Sequence, residues 1–216
     1  MRGAWVKAAY TLEVYGFRLR GDGLVVVEGL VLAPFKALGI ALLEVSLSII
    51  LLAASARLHL DIPGLPVPFT LQTLALQFLA CVLGVRAPRV LLAYLALGLA
   101  GAPVFAHGGG PGYVLSPSFG YLLGFPIAAY VAGMLARPAT YRRLLAASLT
   151  SLVPVYALGA SWLGAWIHYS AGVGLLESLR KAVVTGMLVF IPWDVFKAFM
   201  AAALSIPVLR AYRAIR

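Results

Sequence analysis

Apolar residues fill this chain in long blocks, and polar residues collect in the short stretches between them. Six blocks read as helices: about Pro34 to Ala56, Thr70 to Gly84, Pro88 to Gly101, Ser118 to Leu135, Leu144 to Tyr169 and Trp193 to Leu209. A helix rises about 1.5 Å per residue and a bilayer core is about 30 Å thick, so spanning segments need about 17–25 residues. The second, third and sixth blocks are short on that scale. The outer ends of the second and third give way to irregular stretches, Leu60 to Phe69 and Ala102 to Pro117. The latter contains His107-Gly108-Gly109-Gly110-Pro111-Gly112. Non-helical backbone at membrane depth survives only where protein buries it or where it lines a wet cavity. The pattern therefore predicts an outward-facing pocket roofed by Gly/Pro-rich loops, with a merely structural loop as the alternative. Between blocks five and six, Leu175 to Gly186 carries Glu177, Arg180 and Lys181 at helical spacing and reads as a short interfacial helix.

Composition moves the reading from apolar helices to membrane helices. Of 216 residues, 62% are hydrophobic and 11% charged, and the mean hydropathy is +0.98. Soluble domains carry roughly a quarter charged residues, and a soluble chain of this length could not hide so much apolar surface. The expectation is an all-α integral membrane protein with one six-helix domain, 30–216, and a separate N-terminal segment, 1–29. In that segment Arg2, Lys7, Arg18 and Arg20 alternate with Trp5, Tyr10, Tyr15 and Phe17. It lacks the apolar core and cleavage site of a signal peptide, and reads as a basic, aromatic tail on the cytoplasmic membrane surface.

The net charge of +10 would raise the question of nucleic acid in a soluble protein. Here the basic residues sit in clusters between apolar blocks, with no basic stripe interleaved with aromatics, so no nucleic-acid partner is expected. Thirteen Lys and Arg fall on the side holding both termini, and four (Arg57, Arg180, Lys181, Lys197) fall on the other. Positive loops stay in the cytoplasm, which places both termini there and requires an even number of spans.

Few residues offer chemistry. Asp194 and Lys197 open the sixth block at i, i+3 spacing, on one helical face. A helix-start ion pair is one reading, since a carboxylate near a helix N-terminus is favoured by the dipole. A cation in the same first turn opposes that dipole, so a ligand-binding pair is the favoured reading, ionisable groups in membranes being costly and usually functional. Glu44, near the middle of the first block, fits either a protonated interhelical hydrogen bond or a polar cavity. Ala33, Ala37 and Ala41 recur every four residues with Gly39 between, a face that lets another helix approach closely. Cys81 is the one cysteine, and His59, His107 and His168 lack ligand spacing, so no metal site is expected. There is no phosphate-cradling G-x-x-x-x-G-K-[ST] loop, no nucleophile–base constellation and no paired-carboxylate site. Catalysis is not expected.

Four stretches resemble, in order and spacing, the BioY family of biotin-binding S components of energy-coupling-factor (ECF) transporters. They are Pro66-Val67-Pro68-Phe69-Thr70-Leu71-Gln72-Thr73, Tyr94 to Phe105, Ser116-Pro117-Ser118-Phe119-Gly120-Tyr121-Leu122-Leu123-Gly124-Phe125, and Pro192-Trp193-Asp194-Val195-Phe196-Lys197. Phe119 stands where the family usually has glycine, and the Gly84-Val85-Arg86 turn lacks the usual Gly-Pro. The resemblance implies a six-helix S component in the cytoplasmic membrane that takes biotin from outside, with no cofactor. It also implies a transmembrane coupling protein and cytoplasmic ATPase subunits as partners, with Ala33, Ala37 and Ala41 as the coupling-protein contact. For the ligand it implies Asp194 and Gln72 at the ureido N–H groups, and Lys197 either as a partner for the carboxylate or beside Asp194 at the same end of the ligand. Tyr94, Tyr121 and Trp193 would line the apolar part, with Thr70 and Ser118 beside them. An S component for another anionic vitamin and a stand-alone secondary transporter are the rival readings.

Overall fold

The computed structural model describes residues 32–214, with side chains over 38–212. The N-terminal segment 1–29 and the side chains of Ala33 and Ala37 lie outside the described residues. The chain divides into two units, 1–46 and 47–216. In the first, the described residues belong to the opening half of helix α1 (Leu32–Arg57). There Leu38, Ile40, Leu42 and Leu43 are exposed, as is Ala41, while Glu44 is half-buried.

The second unit begins in the remainder of α1, where Leu52 and Ala56 are fully buried. A two-residue antiparallel ladder follows, β1 (His59–Leu60) with β2 (Phe69–Thr70), pairing His59 with Thr70 and Leu60 with Phe69. Helices α2 (Gln72–Leu83) and α3 (Ala87–Leu99) come next. Gln72 and Tyr94 are 22 residues apart, about 33 Å along one continuous helix, yet their side chains bond at 2.7 Å. The two helices therefore fold back on each other, through a 3-10 turn at Gly84–Arg86 that begins with Gly84 at φ 61°. Positive φ at that corner suits glycine. Arg137 closes the turn by donating to the carbonyls of Cys81 (3.3 Å) and Val82 (3.2 Å), acceptors that the end of α2 leaves without helical partners.

Helix α4 (Phe119–Leu135) packs along α5 (Tyr141–Ala171). Gly120 and Gly124 bring the α4 backbone against Leu158, Pro154 and Val155 so closely that a Cβ at either would collide. Close approach of small residues is how membrane helices gain contact when lipid removes the hydrophobic drive between them.

The stretch expected to be a separate interfacial helix is instead the start of the last long helix. Helix α6 (Leu175–Val183) runs through a π-helical turn, Val184–Leu188, towards α7 (Ile191–Ala214). Its Ser178 and Ala182 are fully buried, and Leu179 fits against Gly164 of α5. The charges that suggested an interfacial helix stay exposed beside that buried face, where Glu177 and Lys181 pair at 2.8 Å.

Among the described residues, four stretches are long and apolar enough to cross a membrane: Leu38–Arg57, Gln72–Leu99, Tyr141–Ala171 and Leu175–Tyr212. The second of these is the folded-back α2–α3 pair. Phe119–Leu135 is a shorter apolar helix. Outward-facing apolar side chains such as Leu92, Ile127, Met134 and Val153 are exposed on these helices, as lipid contact requires. The chain is a multi-pass helical membrane protein.

Candidate functional site

A cavity in the second unit is walled by Val67, Pro68 and Thr70 after the hairpin turn, Gln72 and Thr73 of α2, and Ala106 and Tyr113 of the glycine-rich loop. Tyr121 and Phe125 of α4, Tyr156 of α5, and Phe190, Asp194 and Lys197 at the start of α7 complete it. Its volume is about 60 Å³. It is a narrow slot between aromatic walls, and Thr70, Thr73, Tyr156, Asp194 and Lys197 lie together in its lining.

Those polar groups form a single network. Asp194 is 3% exposed and Lys197 8%, and Lys197 Nζ lies 2.9 Å from Asp194 Oδ1. The ammonium also donates to the Thr70 carbonyl at 2.7 Å and to Thr73 Oγ1 at 3.1 Å. Thr73 passes its own proton to Asp194 Oδ1 at 2.7 Å, and Tyr156 donates to Oδ2 at 2.6 Å. All three ammonium protons are thus engaged, whereas a carboxylate offers about four acceptor positions and, among the described residues, three donors reach this one. Asp194 therefore keeps acceptor capacity at the cavity wall, on the Oδ2 side. Lys197 lies in the second turn of α7, past the first turn that holds Asp194, so the dipole objection raised by the sequence is weaker than it looked.

A second set holds Gln72. Its Nε2 donates to Tyr94 Oη at 2.7 Å, and Tyr94 donates to the Val104 carbonyl at 2.8 Å. Gln72 lines the cavity, next in sequence to Thr73, which bonds Asp194. Tyr121 is fixed differently. Its hydroxyl donates to the Gly186 carbonyl at 2.8 Å, within the π-helical turn, and a Cβ at Gly159 or Gly186 would strike its ring or hydroxyl. Phe69 and Phe190 stack at 4.2 Å beside the cavity.

Of the residues singled out by sequence, Asp194, Lys197, Gln72, Thr70, Tyr121 and Ser118 line this one cavity. Two do not. Tyr94 is fully buried behind Gln72 and acts on the cavity through that side chain. Trp193 is 59% exposed and lines a neighbouring, more open cavity with Arg57, His59, Leu60, Phe69, Thr70 and Lys197. Adjacent helical residues diverge by about 100°, so Trp193 cannot share the direction of Asp194. Sequence reasoning missed Thr73 and Tyr156 as partners of Asp194. Thr73 was within reach of it, one residue past Gln72. Tyr156 carried no local signal, because it comes from another helix 38 residues away.

A bundle that crosses a membrane several times and keeps a buried ion pair in the lining of an aromatic slot is built to hold a small organic molecule with a few polar groups. Residues 33–214 match the model of the BioY family, and the chain belongs to that family. It is 32% identical over 180 residues to the probable biotin transporter BioY of Lysinibacillus sphaericus, covering 79% of this chain and 91% of that one. It is 35% identical over 150 residues to the biotin transporter BioY of Thermotoga maritima, covering 68% and 83%. A crystal structure of the S component for biotin from an ECF-type ABC transporter superposes with a TM-score of 0.63 at 26% identity, covering 84% of this chain and 92% of that one. These relatives are transporters or transporter components, and this chain is one of their kind rather than an enzyme.

Proposed function

We propose that this chain captures biotin on the outer side of the cytoplasmic membrane as the S component of an ECF-type importer. The observation that carries the proposal is the Asp194 network in the lining of an aromatic slot, in a chain of the BioY family. Biotin's ureido ring offers two N–H donors and a carbonyl acceptor on an apolar bicycle. Asp194 Oδ2 and the Gln72 carbonyl oxygen accept from the N–H groups, while Tyr121, Phe125 and Phe190 cover the apolar rings. Lys197 borders both this cavity and its more open neighbour. The anionic tail leaves the slot on that side, towards Lys197 and Arg57.

In this reading α1, α2, α3, α4, α5 and the α6–α7 helix make six membrane passes. The glycine-rich loop and the hairpin roof the pocket on the outside. Both termini lie in the cytoplasm, in keeping with the thirteen-to-four division of basic residues. A transmembrane coupling protein docks on the alanine face of α1 (Ala33, Ala37, Ala41), and cytoplasmic ATPases supply the energy. The test is uptake of labelled biotin into proteoliposomes holding this chain with or without coupling and ATPase subunits. Uptake that needs all components and ATP supports the proposal. Equal uptake by the chain alone would instead mark a stand-alone secondary transporter.

A further inference from the structure

Two histidines that the sequence leaves unconnected meet beside one carboxylate. His59 lies in β1, Asp61 follows that strand, and His107 sits at the tip of the tight turn in which Phe105 and Gly108 bridge. His107 Nε2 is 3.2 Å from Asp61 Oδ1, and His59 Nε2 is 3.6 Å from Asp61 Oδ2. The three ligand atoms all lie within 4.8 Å of one another, and the two imidazoles meet edge to face at 5.0 Å.

The hydrogen-bond accounting calls for a cation. His59 Nδ1 is 3.2 Å from the Ala56 carbonyl, which can only accept, so Nδ1 carries a proton. In the neutral ring Nε2 then presents a lone pair towards the Asp61 carboxylate, and two acceptors face each other. A metal ion between them resolves that opposition. A backbone carbonyl that fixes the far nitrogen of a ligating histidine is the usual outer support of metal sites. The spacing fits as well. Metal–nitrogen and metal–oxygen bonds of about 2.0–2.2 Å at tetrahedral angles put neighbouring ligand atoms about 3.3–3.5 Å apart; the two His–Asp61 separations, made to different carboxylate oxygens, lie near that value, and small side-chain rotations bring the set, all within 4.8 Å, onto one ion. Asp61 and His107 side chains are 61% and 50% exposed, so the site is reachable from solvent and a water can complete the coordination.

We propose that His59, Asp61 and His107 bind one divalent transition-metal ion, which ties the hairpin to the glycine-rich loop beside the pocket. Imidazole with carboxylate suits zinc, nickel or copper rather than magnesium or calcium. The tie bears on the cavity because both loops supply its wall. Ala106, next to His107, and Val67, Pro68 and Thr70, in the hairpin that carries His59 and Asp61, all line it. Fixing the metal ligands therefore fixes the distance between two walls.

The experiment is titration of the purified, tag-free full chain in detergent with zinc chloride, beside His107→Ala, Asp61→Asn and a His168→Ala control. His168 is engaged elsewhere, with the Val173 carbonyl at 2.6 Å. The expected result is one zinc per chain, weakened at least about tenfold in the first two variants and unchanged in the control. Zinc should also slow backbone hydrogen exchange over 59–70 and 102–110 in the parent and not in His107→Ala. No stoichiometric zinc binding would overturn the site. Undiminished binding in both variants would overturn it too, and binding without slowed exchange would overturn the tie.

Discussion

Replacing Lys197 with methionine removes the ammonium and keeps most of the apolar stem. The parent lysine has three acceptors, the Thr70 carbonyl, Thr73 Oγ1 and Asp194 Oδ1. Its loss strands a carboxylate whose side chain is 4% exposed with two donors, Thr73 and Tyr156. Removing one partner of a buried ion pair costs about 3–5 kcal/mol, because the remaining charge stays desolvated. In chains of about 150–250 residues 1 kcal/mol moves a thermal midpoint by about 2–4 °C, so the single variant should melt about 6–20 °C lower. The Asp194→Asn, Lys197→Met double variant removes both charges, and the carbonyl oxygen of the new amide can still accept a hydrogen bond from Thr73 or Tyr156. It should recover most of that loss, because trading a buried pair for neutral groups is often nearly neutral. The assay is thermal unfolding in one detergent, followed by intrinsic tryptophan fluorescence, for the parent, both singles and the double. A Lys197→Met protein melting with the parent, or a double variant melting at the sum of two single losses, would refute the coupled-pair argument.

Tyr156→Phe deletes one charge-assisted hydrogen bond and should cost about 1.5–3 kcal/mol, read in the same melts. Trp193→Ala should weaken biotin binding less than Asp194→Asn does, since Trp193 is 59% exposed and lines the more open cavity beside the slot rather than the slot itself; a larger loss in a binding titration would move the pocket towards Trp193. Gly186→Val should lower biotin affinity by displacing the Tyr121 hydroxyl that meets this glycine, whereas Val184→Ala on the exposed side of the same turn should not. Gln77 is fully buried, and its Oε1 has no partner among the described residues. Gln77→Met should therefore leave the thermal midpoint unchanged or raise it, since an unsatisfied buried acceptor is itself destabilising.

Helix positions were legible because each apolar block ends at a feature with one physical meaning. Gly84 ends α2, and α5 ends at Gly172, which takes φ 65°. The irregular stretches after the first and third helices were legible too, since glycine and proline leave little else to form. What did not show was which side chains meet across helices. The i, i+3 spacing put Asp194 and Lys197 on one face, but only the folded chain brings Thr73 and Tyr156 to them. Trp193 was taken with its motif neighbour although the helical turn sends it elsewhere. The charges of 175–186 suggested a surface helix because the burial of Ser178 and Ala182 against α5 depends on a partner that a local pattern cannot report. His59 and His107 lie in separate loops, and no spacing rule links them.

The central claim is that the slot beside Asp194 holds biotin. It is tested most directly by equilibrium titration of the purified chain in detergent with biotin, beside Asp194→Asn and a biotin analogue lacking the ureido N–H groups. The account predicts saturable one-to-one binding by the parent and marked weakening with either the variant or the analogue. A folded parent that does not bind biotin, or that binds the analogue and biotin equally well, would contradict it.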